Sequence, residues 1–199
     1  MFETTALILL ASGRSRRFGE GDKLMAPLND RPLLQHVIEQ VDSIDFCTRL
    51  AVVGVDQDER QALLAAAGFE LVFNDNPDAG QGHSLACGIL AATGLADIDR
   101  AMIVLGDMPA VTPALFEALA SAMAPGVPAV MSEAEGIKSP PALFRRVCFA
   151  DLATLQGDKG ARGVFNMLPG ATTVPVDAAA LVDVDTPADL RRLEAAHDG

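Results

Sequence analysis

Residues 12–23, which read SGRSRRFGEGDK, concentrate side chains that could bind phosphate. The segment contains four basic and two acidic residues, although the whole chain has a formal net charge of −12. Glycine lets backbone amides approach phosphate oxygens, and arginine or lysine neutralises the charge of those oxygens. The composition therefore indicates an anion-binding loop, while a solvated surface turn accounts for the same residues about as well.

Two well-known nucleotide-binding patterns are incomplete in this chain. No GxxxxGK[ST] string occurs, so the chain has no Walker A phosphate-binding loop. Gly19 and Gly21 begin a GxGxxG pattern, but Leu24 stands where the third glycine belongs. A nicotinamide-dependent oxidoreductase, which an α/β fold alone would suggest, is therefore disfavoured.

Several carboxylates stand where a cation could bind. Asp107 follows the apolar residues 101–105, and Asp183 and Asp185 belong to a second short apolar run. Carboxylate oxygens are preferred ligands of hard cations such as Mg²⁺, so Asp107 could hold one, with Asp185 or Asp183 as a second ligand. The alternatives are a turn residue before Pro109 for Asp107 and a helix N-cap for Asp185.

Apolar periodicity predicts the elements that would position these side chains. Strands are expected at residues 4–11, 50–55, 69–73, 101–105, 127–131, 174–176 and 181–184. Helices are expected at residues 32–41, 57–67, 84–93, 113–123 and 160–168, and from residue 187 onwards. Residues 132–145 show no clear pattern and are expected to be irregular.

The alternation of strands and helices predicts an α/β fold. We expect a three-layer, Rossmann-like, mostly parallel sheet with right-handed crossovers and helices on both faces. Ligands of such sheets bind beyond the carboxyl ends of the strands. The loops after the first and fourth predicted strands are therefore the candidate binding loops.

Composition narrows the class of protein. A chain of 199 residues fits one large domain, and its negative charge with neither Trp nor Tyr disfavours binding to nucleic acid or an anionic membrane. The first apolar run, residues 6–11, is too short for a signal peptide or a membrane span. The three cysteines are far apart and form no CxxC pair, which disfavours a zinc site or a disulfide framework. We expect a cytoplasmic protein.

The string LASGRSRRFG at residues 10–19, followed by Lys23, resembles the L-A-A-G-x-S-x-R-x-G…K signature of the MobA-like nucleotidyltransferases. Four further strings resemble, in order, motifs of the molybdenum cofactor cytidylyltransferase branch: GHSL at 82–85, GDMP at 106–109, GDKGAR at 157–162 and DVDTP at 183–187. Each string alone is weakly specific, but five in order across residues 7–190 form a specific pattern. The resemblance implies a nucleotide-diphospho-sugar transferase-like fold and an enzyme that transfers CMP from CTP to molybdopterin, releasing pyrophosphate.

The resemblance also implies roles for individual residues, with Mg²⁺ as cofactor. Catalytic roles fall on Arg17, Lys23 and Asp107, and metal binding falls on Asp107 and Asp185. Nucleotide contacts fall on Leu10, Ala11, Ser12, Gly13, Arg14, Lys23, Gly82, Ser84 and Gly106, and acceptor contacts fall on Pro141, Asp158 and Arg162. Residues 1–199 would form one nucleotidyltransferase domain, with a nucleotide half at about 1–110 and an acceptor half at about 111–199. A molybdoenzyme would receive the product.

Three departures from the family pattern keep other substrates open. Ser12 replaces the second alanine, residues 20–22 lengthen the spacing before Lys23, and residues 139–141 read SPP where the branch has GHP or GNP. One alternative is a nucleotidyltransferase that uses GTP or acts on another phosphorylated acceptor, such as a sugar or isoprenoid phosphate. Another is a non-catalytic carrier of the molybdenum cofactor.

Overall fold

A computed structural model of the chain describes residues 1–19 and 21–197. Within them the strands are β1 (Thr5–Leu10), β2 (Pro27–Leu28), β3 (Arg31–Pro32), β4 (Thr48–Gly54), β5 (Glu70–Asn74), β6 (Arg100–Leu105), β7 (Ala129–Ala134), β8 (Ile137–Arg145) and β9 (Thr172–Pro175). The helices are α1 (Leu33–Asp42), α2 (Asp58–Ala66), α3 (Gln81–Thr93), α4 (Pro113–Ala122), α5 (Phe149–Leu152), α6 (Ala161–Phe165) and α7 (Pro187–His197). Apart from the short β2–β3 hairpin, these strands form one sheet.

The main sheet has the strand order β5-β4-β1-β6-β8-β7-β9. β1 is parallel to β4 and β6, β4 is parallel to β5, and β7 is parallel to β9, while β8 is antiparallel to both of its neighbours. The predicted Rossmann-like, mostly parallel sheet is therefore confirmed. Leu10 at the end of β1 lies level with Val52 and Leu105. The loops after β1 and β6 therefore leave the same edge of the sheet side by side.

The side chains of β1 show how the sheet is covered. Leu7 and Leu9 belong to a core shared with α1, α2 and α4. Ala6 and Ile8 point to the opposite face and belong to a core shared with α3, α5 and α6. All of β1 is buried, as expected for a central parallel strand between two helical layers.

The prediction that residues 132–145 are irregular is wrong. They complete β7 and form β8, an antiparallel pair joined by a tight turn. The pairing changes register between Met131, which faces Ala142, and Ser132, which faces Ser139. The two prolines of β8 lie within this irregularity, where their lack of an amide donor removes no ladder hydrogen bond. Because proline is rare inside strands, this strand was not predicted from the sequence.

The strand predicted at residues 181–184 is also wrong. A 3-10 turn at Ala178–Leu181 is followed by extended chain that crosses the end of β6 instead of joining the sheet. The Val184 amide donates a hydrogen bond to the Asp107 carbonyl at 2.9 Å. This crossing brings the carboxylates on either side of Val184 to the loop after β6.

Two helices differ from their predicted bounds near the cleft. α3 begins at Gln81 rather than at residue 84, so its first turn contains the GHSL string. α6 covers only Ala161–Phe165 of the predicted 160–168. No helix in the described part of the chain is long and apolar enough to cross a lipid bilayer.

Candidate active site

A cleft of about 510 Å³ opens at the carboxyl ends of β1 and β6. Its size is typical of a small-molecule site, and its position is the crevice expected for a parallel sheet. Most of the predicted nucleotide-binding residues line it, namely Leu10, Ala11, Ser12, Gly13, Arg14, Lys23 and Ser84.

Lys23 links the two carboxylates that the sequence nominated for a metal. Its Nζ lies 2.7 Å from Oδ2 of Asp107 and 3.3 Å from Oδ1 of Asp185. Nη1 of Arg17 lies 2.7 Å from Oδ2 of Asp185. The Lys23 side chain is 12% exposed, whereas Arg17 is 76% exposed and reaches in from the cleft rim. The loop after β1 and the carboxylate after β6 therefore meet in one cleft.

Backbone packing holds Asp107 in place. The Gly106 amide donates to the Leu10 carbonyl at 2.9 Å, which continues the pairing of β6 with β1. A Cβ at position 106 would lie 3.1 Å from Leu34 Cδ1 and 3.2 Å from the Leu10 carbonyl oxygen, so little space remains for a side chain. The Val184 amide binds the Asp107 carbonyl from the other side. The backbone of Asp107 is thus held between the end of β1 and the chain segment around Val184.

The acidic centre of the cleft, which consists of Asp107, Asp183 and Asp185, has the chemistry of a cation site. Oδ1 of Asp107 is buried and has no hydrogen-bond partner among the described residues. Desolvation, together with repulsion from Asp185 and Asp107, raises the pKa of the Asp183 carboxyl above its usual range. Crowded carboxylates favour a nearby cation, and the Lys23 ammonium provides that charge.

A metal at this centre would need a local rearrangement. Within residues 1–19 and 21–197, no three His, Cys, Asp or Glu side chains converge as a preformed metal site. Asp107 and Asp185, the two carboxylates predicted to bind a metal, nevertheless share one cation, the Lys23 ammonium. The two carboxylates therefore fit a divalent cation once the ammonium moves away.

The other cations of the loop are paired with carboxylates at the cleft rim. Arg14 donates to Asp56 at 2.8 Å and lies 3.3 Å from Asp78, while Arg16 donates to Asp78 at 2.7 Å. The hydrogen bond from Arg14 lowers the pKa of the Asp56 carboxyl. Exposed pairs of this kind contribute little stability, so phosphate oxygens can replace the carboxylates at low cost.

Three buried polar side chains form a hydrogen-bonded group at the cleft floor. The hydroxyls of Ser12 and Ser84 lie 2.7 Å apart, and Asn74 Nδ2 donates to Ser84 Oγ at 3.0 Å. Asn74 Oδ1 accepts a hydrogen bond from the Asn76 amide at 2.9 Å, which fixes the orientation of the Asn74 side chain. Because Ser12 and Ser84 also line the cleft, this group can present ordered hydroxyls to a planar polar ligand.

The start of α3 packs closely against the loop around Gly157. The Gly82 amide donates to the Gly157 carbonyl at 2.8 Å. A Cβ on Gly80 would lie 2.4 Å from the carbonyl carbon and oxygen of Gly157. Gly82 is buried and lies behind the cleft lining, so its nucleotide contact stays a prediction. The geometry gives these glycines a role in the close approach of two loops.

The predicted acceptor residues are divided between the cleft and other locations. Asp158 lines the cleft beside Gly80. Arg162 is exposed on α6, and Pro141 is buried in β8, where its carbonyl accepts a hydrogen bond from Ser132 at 2.9 Å. Neither Arg162 nor Pro141 lines the cleft, and their acceptor contacts stay predictions.

Asn74 and Arg60 lie at the site, although neither was among the residues predicted from the sequence. Asn74 ends β5, at the same sheet edge as the loops after β1 and β6, and this shared edge was the available signal. Arg60 lies on α2 and is only 2% exposed. An arginine on a polar helix is typical of a surface position, so nothing in the local pattern indicated its burial.

Gly80→Ala is expected to destabilise the protein more than Gly126→Ala. Both glycines have positive φ, so both substitutions strain the backbone. The added Cβ meets no atom within 4 Å at Gly126 but overlaps the Gly157 backbone at 2.4 Å at Gly80. We expect an extra loss of about 1–3 kcal/mol in the free energy of unfolding for Gly80→Ala, measured by denaturant titration of both variants. Equal losses would mean that the two loops separate without cost.

Comparison with known proteins places these features in a family. Residues 7–187 match the MobA-like NTP transferase domain. Purine catabolism protein PucB of Bacillus subtilis is 31% identical over 90% of this chain and 91% of its own length. A probable molybdenum cofactor guanylyltransferase of Pyrococcus horikoshii is 30% identical over 55% of this chain and 51% of its own length.

A solved structure shows the same fold over nearly the whole chain. Rv0371c from Mycobacterium tuberculosis H37Rv aligns with a TM-score of 0.84 at 25% identity, covering 96% of this chain and 97% of its own. A structure of that protein in complex with manganese aligns with a TM-score of 0.80 at 24% identity, covering 96% and 98%. Together with the family match across residues 7–187, these findings lead to one conclusion. The chain belongs to the MobA-like NTP transferase domain family and is a nucleotidyltransferase.

Proposed function

We propose that this chain transfers CMP from CTP to the terminal phosphate of molybdopterin, with release of pyrophosphate and with Mg²⁺ as cofactor. The observation that carries the proposal is the meeting of Arg17 and Lys23 with Asp107 and Asp185 in one cleft. The choice of substrates is supported by the ordered strings that resemble the cytidylyltransferase branch.

The proposed reaction needs alignment and charge neutralisation rather than a general base. The terminal phosphate of the acceptor is largely dianionic at neutral pH because its second pKa is about 6. One of its oxygens forms a bond to the α-phosphorus of CTP. The bond from that phosphorus to the oxygen shared with the β-phosphate breaks, and pyrophosphate leaves with the electron pair. Arg17 and Lys23 would neutralise the triphosphate and the leaving pyrophosphate.

Asp107 and Asp185 would hold the divalent cation, which when bound neutralises and aligns phosphate oxygens. The manganese complex of the mycobacterial relative supports a divalent metal in this fold. Lys23 contacts both carboxylates, and we infer that its ammonium would exchange them for phosphate oxygens when the nucleotide binds. Binding of the cation and binding of the triphosphate would therefore favour each other.

The cleft floor supports a position for the nucleobase. Ser12 and Ser84 present hydroxyls there, and Asn74 orients them from below. The backbone at Gly82 and Gly106 would make further contacts with the nucleotide. GTP is a second candidate nucleotide, since one relative is a probable molybdenum cofactor guanylyltransferase.

We further propose that the chain is one nucleotidyltransferase domain with two halves. Residues 10–107 would supply the nucleotide side of the cleft, and Asp158, Asp183 and Asp185 would supply the acceptor side. Pro141 and Arg162 would contact the acceptor beyond the cleft. The SPP string at residues 139–141 makes another phosphorylated acceptor the main alternative, and a molybdoenzyme would take up the product.

The proposal predicts which mixture releases pyrophosphate. The full chain is incubated with Mg²⁺ and each of CTP, GTP, ATP and UTP, either without an acceptor or with molybdopterin, a sugar phosphate or an isoprenoid phosphate, and pyrophosphate is measured. We expect release with CTP and molybdopterin together. Release with GTP would replace the cytidylyl assignment, and release with a sugar or isoprenoid phosphate would replace the acceptor. Binding of molybdopterin with no release from any nucleotide would support the non-catalytic carrier instead.

A further inference from the structure

Arg60 is a buried arginine that lies beneath the glycine-rich loop rather than within it. It belongs to the first turn of α2, and its side chain is 2% exposed. None of the family-like strings contains it. A buried guanidinium is costly unless its donors are satisfied, so its partners indicate why it is there.

The partners of Arg60 are the two ends of the loop. Nη1 donates to the carbonyls of Ala11 and Gly13, the latter at 2.8 Å. Nε donates to Oδ2 of Asp22 at 2.6 Å, and Nη2 donates to Oδ1 of the same carboxylate. Nη2 also lies within 3.3 Å of the Ser15 hydroxyl. One planar side chain thus joins the start of the loop to the residue that precedes Lys23.

The loop end held by Arg60 in turn positions Lys23. Oδ1 of Asp22 also accepts a hydrogen bond from the Leu24 amide at 2.9 Å. The Lys23 amide donates to the Ser15 hydroxyl at 3.1 Å, and that hydroxyl contacts Arg60 as well. The backbone of Lys23 therefore stands between two groups that Arg60 holds. Its ammonium reaches the acidic centre from this fixed base.

We propose that Arg60 is a positioning residue for the triphosphate site. It holds the loop in a shape that keeps Arg14, Arg17 and Lys23 directed into one cleft, although their like charges oppose that arrangement. Preorganised cations bind a polyphosphate without the cost of ordering a loop, and small displacements of such groups reduce activity strongly. The planar guanidinium binds the carboxylate with two of its nitrogens and two carbonyls with the third. A lysine ammonium cannot reproduce this geometry. The inference rests on the proposed triphosphate site but on neither the base nor the acceptor.

Arg146 offers a matched control at the opposite edge of the sheet. It is also an arginine that anchors backbone, since it donates to the carbonyls of Thr93, Leu95 and Ile98. It lies near the start of β6, whereas the cleft lies at the end of that strand. A variant at Arg146 therefore reports the effect of losing a structural arginine without touching the loop.

The test compares Arg60→Met, Arg60→Lys and Arg146→Met in the full chain. Binding of inorganic triphosphate with Mg²⁺ is measured by calorimetry, which needs neither base nor acceptor. Cleavage by trypsin after the basic residues of the loop is measured alongside thermal unfolding. We expect the Kd to rise on the order of 100-fold in Arg60→Met and about tenfold in Arg60→Lys. Loop cleavage should accelerate in the same order, whereas Arg146→Met should lower the melting temperature and leave both readouts unchanged.

Each outcome bears on the inference directly. Equal changes in Arg60→Met and Arg146→Met would show a general structural role and overturn it. Wild-type triphosphate binding and loop cleavage in Arg60→Lys would overturn it as well. If Arg60→Met does not fold, Asp22→Asn takes its place, because it removes the carboxylate partner and keeps the carbonyl contacts. Unchanged binding and loop cleavage in that variant would equally overturn the inference. Failure of the wild type to use CTP would reject the proposed substrates and leave this comparison intact.

Discussion

Lys23→Ala is expected to lower kcat/KM for the nucleoside triphosphate on the order of 100- to 1,000-fold, the loss typical of removing a preorganised charge partner of the transition state. Lys23 is expected to have this effect because its side chain is only 12% exposed and its ammonium contacts two carboxylates of the cleft. The same substitution should tighten the binding of Mn²⁺ alone by about tenfold or more, since the ammonium no longer competes for Asp107 and Asp185. Steady-state kinetics and calorimetric titration with Mn²⁺ measure the two effects separately.

Arg100→Ala serves as the control for Lys23→Ala. Arg100 begins β6 and donates to the Met1 carbonyl at 2.7 Å, at the edge of the sheet opposite the cleft. Its removal should change neither kcat/KM nor Mn²⁺ binding. If Lys23→Ala weakened Mn²⁺ binding, the ammonium would be supporting the metal site instead of occupying it. If both variants lost activity equally, the assignment of the loop to the triphosphate would fail.

The strands that were predicted correctly at the cleft share one property. The strand before Asp107 and the strand before the basic loop are both predicted by near-continuous apolar runs. Parallel strands of one sheet end at a common edge, where ligands bind. That rule brings the basic loop to Asp107 in the cleft. The side of the cleft formed by β1 and β6 therefore follows from local patterns and one rule of topology.

The features that were missed depend on contacts between distant segments. The strand β8 contains two prolines, and only the register shift opposite Met131 makes them compatible with a sheet. Arg60 is buried because Asp22 and two loop carbonyls satisfy it, and none of these lies near it in sequence. The chain around Val184 resembles a strand, yet it binds Asp107 from outside the sheet. Local periodicity carries no information on any of these partners.

Asp107→Asn is expected to lower kcat on the order of 1,000-fold and to remove the dependence of triphosphate binding on Mg²⁺ or Mn²⁺. The substitution keeps the size of the side chain and removes its charge. Oδ2 of Asp107 already binds one cation, the Lys23 ammonium, and its buried Oδ1 has no hydrogen-bond partner among the described residues, so this carboxylate is the expected cation ligand. Triphosphate binding is measured by calorimetry with and without each metal, and activity is measured by pyrophosphate release.

The fold should survive the loss of the Asp107 charge, which separates its role in binding from a role in stability. Lys23 keeps Asp185 as a partner at 3.3 Å, so the free energy of unfolding should change by no more than about 1–2 kcal/mol. Asp99→Asn makes the same chemical change at an exposed residue before the other end of β6 and should alter neither binding nor activity. Metal-dependent triphosphate binding that persists in Asp107→Asn would show that the cation binds at a site other than Asp107. Asp185 and Asp183 would then be the candidate ligands, because both line the cleft and Asp185 also contacts the Lys23 ammonium.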